Sequence, residues 1–108
     1  MNRNSVLLIG FTGHEPVCKE MSNGSKLTVI RVATHSWSTN KKGEKTNHTT
    51  WHTVVAWDKK AEYARNNFVK GSKIFVEGSI VYRSYLDASG RKQHATDIIA
   101  YKLMNLDR

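Results

Sequence analysis

Cysteine, proline, acidic residues and long apolar runs are all scarce in this 108-residue sequence. The single cysteine, Cys18, excludes an internal disulfide bond and points to a reducing compartment. The longest early apolar run, VLLIG, is too short for a signal peptide or a membrane span. We therefore expect a soluble cytoplasmic protein, and the length suits a single domain over residues 1–108.

Acidic residues are few beside basic ones. Nine Asp and Glu residues accompany 17 Lys and Arg residues, which gives a formal net charge of +8. So large an excess on a small domain favours a polyanionic partner, although general basicity without a ligand stays open. The acidic residues are also scattered, so they form no cluster suited to two-metal nuclease chemistry.

Sequence signatures of catalysis and of metal binding are missing as well. The chain has no glycine-rich phosphate loop, no GKS/T motif and no GxSxG motif. His48 and His52 are four residues apart, which on a strand separates them by about 13 Å, too far to share a metal. We therefore expect neither catalysis nor a bound metal or cofactor.

The most informative stretch that is present is TTWHTVVAW, at Thr49–Trp57. Read as a strand, it places Trp51 and Trp57 on one face, about 20 Å apart. The opposite face carries small residues, among them Val54 and Ala56, that can line a packed interior. Two indoles on one face indicate either core residues or an open platform on which nucleic-acid bases stack.

The rest of the chain predicts four more strands and one helix. The first strand is expected to bend or bulge between Gly10 and Gly13, and Asp58 is expected to be the N-cap of the helix. The strands are Asn4–Gly10 resuming at Val17–Met21, Lys26–Ser36, the Thr49–Trp57 stretch, Ser72–Tyr85 and His94–Leu106, with the helix at Lys59–Phe68. A helix between strands 3 and 4 predicts an all-β OB-fold, a five-stranded Greek-key barrel whose face and loops can bind oligonucleotides.

Two polar segments separate the strand pairs. Ser38–His48 is predicted to form a long, mobile hairpin loop, and Asp87–Lys92 a second hairpin loop that is basic at its far end. The first of them contains three lysines, Lys41, Lys42 and Lys45. Because Trp37 and Trp51 flank this loop, a role in gripping phosphates is favoured over simple solubility.

A series of motifs follows along the chain with a specific order and spacing. They are LIGFTGHEP at Leu8–Pro16, the turn Asn23-Gly24, Val32-Ala33-Thr34, TWHTVV at Thr50–Val55, Asp58–Glu62, KGSKIFVEG at Lys70–Gly78 and RSYLDASG at Arg83–Gly90. Taken together, these motifs resemble those of bacterial-type single-stranded DNA-binding proteins. One difference is that Thr50 stands where the family has an acidic residue.

The resemblance implies an OB-fold that usually assembles as a homotetramer. It would bind single-stranded DNA without much sequence preference, in DNA replication, recombination and repair. The family's stacking aromatics fall on Trp37, Trp51, Trp57 and Tyr85. Basic residues that match or neighbour the family's contact surface are Lys59, Lys70, Arg83 and Arg91, and further candidates are Arg3 and the loop lysines Lys41, Lys42, Lys45 and Lys92. His52 matches a residue that the family keeps near a subunit interface.

Two departures from the family and two alternative functions accompany this resemblance. Phe11 and Thr12 occupy the family's first glycine turn, which suggests an additional aromatic near the groove. The family's flexible linker and acidic C-terminal tip, which recruits replication and repair enzymes, have no counterpart in the 108 residues.

A primosomal replication accessory protein, an OB-fold dimer that binds more through lysines, is one alternative function. An OB domain that acts as a protein interaction module is the other, whereas cold-shock-like RNA binding lacks its aromatic motif.

Overall fold

Six strands and one helix make up residues 3–107, the part of the chain that the computed structural model describes. The strands are β1 (Val6–Thr12), β2 (Val17–Glu20), β3 (Lys26–Thr39), β4 (Lys45–Trp57), β5 (Lys73–Leu86) and β6 (Lys92–Asn105), and the helix is α1 (Lys59–Asn67). They form one sheet in the order β1-β5-β6-β4-β3-β2. A further pairing of β1 with β3 closes this sheet into a barrel.

Strands β1 and β2 are the two halves of the predicted first strand. β1 pairs with β5 and reaches β3 at Phe11 and Thr12, whereas β2 pairs with β3 further along. At the bend between them, the Gly13 N–H donates a 2.9 Å hydrogen bond to the Arg31 carbonyl. The predicted five-stranded OB barrel, with a bent first strand and the helix between its third and fourth strands, is therefore confirmed.

The core is built from the inward-facing residues of alternating strand positions. It contains Ile30, Val32, Val54, Ala56, Ile74, Val76, Ile98 and Ala100, together with Ala64 and Phe68 from the helix and its C-terminal end. Full burial of one such aliphatic or aromatic side chain contributes about 1.5–3 kcal/mol. The predicted division of β4 is confirmed, because Val54 and Ala56 are fully buried while Trp51 and Trp57 remain exposed.

Helix α1 covers one side of the core through a narrow apolar stripe. Ala61 and Ala64 are fully buried, and Phe68 packs edge-to-face on Tyr63 with ring centroids 5.6 Å apart. Asp58 stands at the N-cap position as predicted, but its side chain makes no capping hydrogen bond. Instead its carboxylate accepts a 3.0 Å hydrogen bond from the Lys26 backbone N–H, which ties the helix to β3.

The predicted long, mobile loop over Ser38–His48 is wrong. β3 and β4 stay paired up to Thr39 and Lys45, so most of this segment is a two-stranded arm that extends from the barrel. Only the tight turn between these two residues connects the strands. Polar side chains support the arm, as in the 2.7 Å hydrogen bond between the hydroxyls of Ser38 and Thr46.

Three hairpin turns have the same local geometry. In each, the first residue donates its N–H to the carbonyl of the fifth, and the fourth is a glycine that donates its N–H to the first. These turns are Met21–Ser25, Asn40–Glu44 and Asp87–Arg91. Their glycines adopt positive φ, at 89°, 79° and 83° for Gly24, Gly43 and Gly90, which suits a turn followed by a left-handed residue. The predicted second hairpin loop, Asp87–Lys92, is thus confirmed to within one residue.

Gly78 provides a stability test of the barrel. It lies at a register shift between β5 and β6, where a Cβ atom would stand 2.2 Å from the Ile99 carbonyl oxygen. Because sheet pairing holds both backbones, Gly78→Ala should lower the free energy of unfolding by about 1–3 kcal/mol. Urea denaturation measures this quantity.

The neighbouring Ser79 is the matched control. Its hydroxyl forms no hydrogen bond within the described residues, so Ser79→Ala should change the free energy of unfolding by less than about 0.5 kcal/mol. Wild-type stability of the Gly78→Ala variant would contradict the close approach of the two backbones.

Candidate nucleic-acid interface

Trp37, Trp51 and Trp57 lie on the outer face of β3 and β4. Residues directly paired across two strands share a face, and Trp37 pairs with Asn47. Asn47, Trp51 and Trp57 have the same parity on β4, whereas Val54 has the opposite parity and is buried. The three indoles therefore point away from the core, and they are 68%, 50% and 41% exposed.

This row of indoles extends along most of the β3–β4 ribbon. At a rise of about 3.3 Å per residue, the step from Asn47 to Trp51 is about 13 Å and the step from Trp51 to Trp57 about 20 Å. At the roughly 3.4 Å that separates successive nucleotides along one strand of duplex DNA, the total of about 33 Å corresponds to about ten nucleotides. That number falls within the range of about 4–16 nucleotides per OB-fold.

The Trp51 indole is held in place by residues of the β1–β2 bend and of β3. The edge of its six-membered ring lies against Gly13, where a Cβ atom would stand 2.4 Å from Trp51 Cζ3. The Arg31 guanidinium carbon lies 5.7 Å from the ring centroid, at cation–π distance. With His14, these residues line an open depression of about 210 Å³. The indole thus has a defined position and one accessible side.

Sequence reasoning did not select Arg31, Gly13 or His14 as candidate site residues. Strand alternation does place Arg31 on the same face as Val29 and Ala33. That face carries three aliphatic residues and the opposite face of β3 only two, Ile30 and Val32, so alternation alone did not show which of the two is exposed. No sequence signal indicated that Gly13 contacts an indole.

Phe11 extends the aromatic surface onto β1. It pairs with Ala33 on β3, and Ala33 pairs in turn with Trp51 on β4. Ala33 is only 5% exposed although it faces outward between these two aromatic side chains. Phe11 therefore lies beside the row of indoles, as its position in the first glycine turn suggested, whereas the neighbouring Thr12 is buried.

Tyr85 and Arg83 lie on the outer face of a second arm, formed by β5 and β6. The Arg83 guanidinium carbon is 5.4 Å from the Tyr85 ring centroid, and its Nε donates a 2.6 Å hydrogen bond to Asp97 Oδ2. This hydrogen bond raises the pKa of Arg83 above its ordinary value. One row of directly paired residues joins the two arms across four strands: Arg31, Thr53, Asp97 and Val81.

Besides Arg83, five of the predicted phosphate-binding residues lie on the two arms, and all five are exposed. Lys45 pairs with Thr39 and so shares the face of Trp37. Lys41 and Lys42 lie in the turn at the tip of that arm. Arg91 and Lys92 lie at the tip of the other arm, where Arg91 donates its backbone N–H to Asp87. Hydrogen bonds from the Ser89 side chain and the Arg91 backbone lower the pKa of Asp87, because they stabilise its ionised form.

The structure places Arg3, Lys59 and Lys70 around the barrel rather than on the arms. All three are exposed. Lys59 begins α1 two residues after Trp57. Lys70 precedes Gly71, whose N–H donates a 3.0 Å hydrogen bond to the Thr12 carbonyl, so it lies near the β1–β2 bend. Arg3 precedes β1, so these three residues lie on different parts of the barrel.

His52 lies on the inward-facing side of β4, opposite the indoles. Its Nε2 is 2.9 Å from the Thr34 hydroxyl, and its side chain is partly buried. This burial lowers the pKa of His52 below its ordinary value of 6.5. Its place near a subunit interface stays a prediction.

Two further findings concern residues 3–107 as a whole. No group of three or more His, Cys, Asp or Glu side chains in this range is arranged to hold a metal ion. The helix in the same range is neither long enough nor apolar enough to cross a membrane.

Comparisons with known proteins connect this chain to one family. The sequence profile described as the single-strand binding protein family matches residues 3–106. The fold is similar to that of Plasmodium falciparum SSB solved in complex with ssDNA, with a TM-score of 0.89 and 27% sequence identity over 99% of this chain and 97% of that chain. It is also similar to a deletion mutant of the single-stranded DNA binding protein from Thermus aquaticus, with a TM-score of 0.84 and 25% identity over 97% and 51% of the two chains.

The lowered pKa of His52 makes the stability of the fold depend on pH. As the pH falls through about 6.5, the unfolded chain takes up a proton at this side chain that the folded chain does not yet bind. The free energy of unfolding should therefore decrease with falling pH, until the folded state takes up the same proton at its lower pKa. Thermal melts between about pH 8 and pH 5 measure this decrease, and His52→Gln should weaken it.

The exposed His94 serves as the control, because it lies on the β5–β6 arm outside the core. His94→Gln should keep the pH dependence of the wild type. If His52→Gln also kept it in full, His52 would not be the titrating group.

Proposed function

Because this chain belongs to the single-strand binding protein family, we infer that it binds single-stranded DNA, and we propose that its bases stack on Trp37, Trp51, Trp57 and Tyr85. The observation that carries this proposal is the common outward orientation of three exposed indoles on one ribbon. Every base has a π-face, so stacking tolerates any sequence and contributes about 1–3 kcal/mol per base.

The cost of leaving these aromatics in water supports a stacking role. Exposed apolar patches on soluble proteins mark binding surfaces, and here three indoles and Phe11 are exposed on adjacent strands. Gly13 and Arg31 also hold the Trp51 ring in one position. A preformed ring loses little conformational entropy when a base stacks on it.

We propose that the basic residues around this surface bind the DNA backbone. Phosphate contacts position a strand without reading its sequence, which fits a protein of net charge +8. The proposed residues are Arg3, Lys41, Lys42, Lys45, Lys59, Lys70, Arg83, Arg91 and Lys92. The arm that carries Trp37 and the arm that carries Tyr85 would both contact the DNA strand.

We propose that the chain acts by binding and protecting single strands in DNA replication, recombination and repair, and not by catalysis. The family is one of DNA-binding proteins, and the scattered acidic residues support the same conclusion. We further propose a cytoplasmic location, in line with the single cysteine, Cys18.

Charge and stacking can be separated by their dependence on salt. For single strands, the slope of log K against log salt is about −0.7 per phosphate neutralised, so replacing Lys41, Lys42 and Lys45 with Ala should flatten it by about 2. Trp51→Ala should instead lower the affinity by about 1–3 kcal/mol and leave the slope nearly unchanged. Titration with poly-dT at several salt concentrations, followed by tryptophan fluorescence and by an independent binding assay, measures both quantities.

Arg65→Ala is the control for the arm lysines, because Arg65 is an exposed cation on helix α1 and lies on neither arm. It should keep the wild-type slope. An unchanged slope in the triple variant would show that the three arm lysines are merely solvated, and full affinity in Trp51→Ala would show that this indole is scaffold.

We propose that the chain assembles as a homotetramer, as the family resemblance implies. The outer face of β1 supports burial between subunits, because Leu7 and Ile9 are exposed there beside the half-buried Phe75 of β5. Light scattering on a sizing column should give four times the mass of one chain. A monomer at micromolar concentration would contradict the proposal, and a dimer would favour the primosomal alternative.

A charged substitution tests whether β1 contributes to this assembly. Ile9→Asp should shift the tetramer to a smaller species, because the charge would be buried at the contact. Leu86→Asp is the control, since Leu86 is also exposed but lies at the end of the β5–β6 arm. It should remain a tetramer.

A further inference from the structure

A carboxylate lies within the otherwise basic and aromatic outer face. Asp97 on β6 faces outward, because the next residue, Ile98, occupies the core. It stands between Thr53 of β4 and Val81 of β5, and it is only 7% exposed. A negative charge here repels DNA phosphates, so its presence on a binding face calls for a function.

Asp97 interacts with one of the proposed phosphate-binding residues. Its Oδ2 accepts the 2.6 Å hydrogen bond from Arg83 Nε, while the Arg83 guanidinium lies over the Tyr85 ring at 5.4 Å. These two contacts hold the guanidinium plane from two directions. The Arg83 side chain remains 52% exposed, and its terminal amino groups form no hydrogen bond with the described residues.

Because Asp97 is buried, its interaction with Arg83 affects both residues. Its second oxygen, Oδ1, is buried without a hydrogen-bond partner among residues 3–107. Arg83 therefore provides the interaction that offsets the burial of this charge. In turn, the short charge-assisted bond restricts a long, flexible side chain to one position before DNA arrives.

We propose that Asp97 is a positioning residue for DNA binding, which holds the Arg83 guanidinium beside Tyr85 so that its terminal amino groups bind a phosphate while the tyrosine stacks on a base. The inference rests on the proposed function. It also has a consequence of unusual sign: removal of a negative charge from this DNA-binding face weakens binding. If Asp97 acted only through its charge, its removal would reduce the repulsion of phosphates and would strengthen DNA binding.

The first experiment compares two substitutions that remove one negative charge each. Asp97→Asn should weaken poly-dT binding by about threefold to tenfold, part of the effect of one charge-assisted hydrogen bond. Glu62→Gln is the matched control, because Glu62 also pairs with a cation, Lys26, but on the side of the helix. Its affinity should equal or slightly exceed that of the wild type. Equal affinity of both variants would overturn the inference.

The second experiment is a double-mutant cycle with Arg83→Lys. Lysine keeps the charge but lacks the planar group that bonds through Nε and stacks, so this variant should bind about tenfold more weakly. Adding Asp97→Asn should then cause no further loss, because the group that Asp97 positions is gone. Losses that multiply in the double variant would overturn the inference, since a merely structural role of Asp97 predicts that result.

The remaining outcomes are also decisive. If Asp97→Asn does not fold, as shown by circular dichroism, Arg83→Lys alone decides, and wild-type affinity in that variant overturns the inference. If the wild type binds poly-dT and only the Asp97 effect is absent, the inference fails while the proposed function stands. If the wild type itself does not bind, both fail.

Discussion

The register between β3 and β4 determines both the interior and the exterior of this protein. It runs without a bulge over thirteen directly paired positions, from Leu27 opposite Trp57 to Thr39 opposite Lys45. Because side chains alternate with a period of two, this register places Val54 and Ala56 in the core and Trp51 and Trp57 outside. A slip by one residue would exchange the two sets. The hydrophobic gain of the core therefore also maintains the outward orientation of the indoles.

The two arms depend on the barrel for their relative placement. They meet at the row that contains Arg31, Thr53, Asp97 and Val81, where β4 and β6 pair in parallel. Because this row belongs to the barrel wall, the arm with Trp37 and the arm with Tyr85 leave the barrel from neighbouring strands with one continuous outer face. The aromatic and basic residues of the two arms are far apart in the sequence, and the parallel pairing of β4 with β6 brings the arms side by side.

The difference in hydrophobicity between the two faces of a strand explains which elements the sequence predicts and which it does not. The alternation of Val54 and Ala56 with two tryptophans predicts β4 correctly, because one face is buried. The outer half of the β3–β4 arm has solvent on both faces, so its alternation carries no contrast and resembles a loop. The contact of Arg83 with Asp97 depends on the β5–β6 register, which is constant from Leu86 opposite Lys92 to Gly78 opposite Ala100 and which strand periodicity alone does not reveal.

The three hairpin turns share one geometry, in which each turn is closed by its own residues. Each turn is closed by backbone hydrogen bonds between its own first, fourth and fifth residues and depends on a single glycine. Such self-contained tips can change length or composition at little energetic cost to the barrel. The tips of the two arms are thus positions at which natural variation or protein engineering can alter the reach and charge of the surface while the core sequence stays the same.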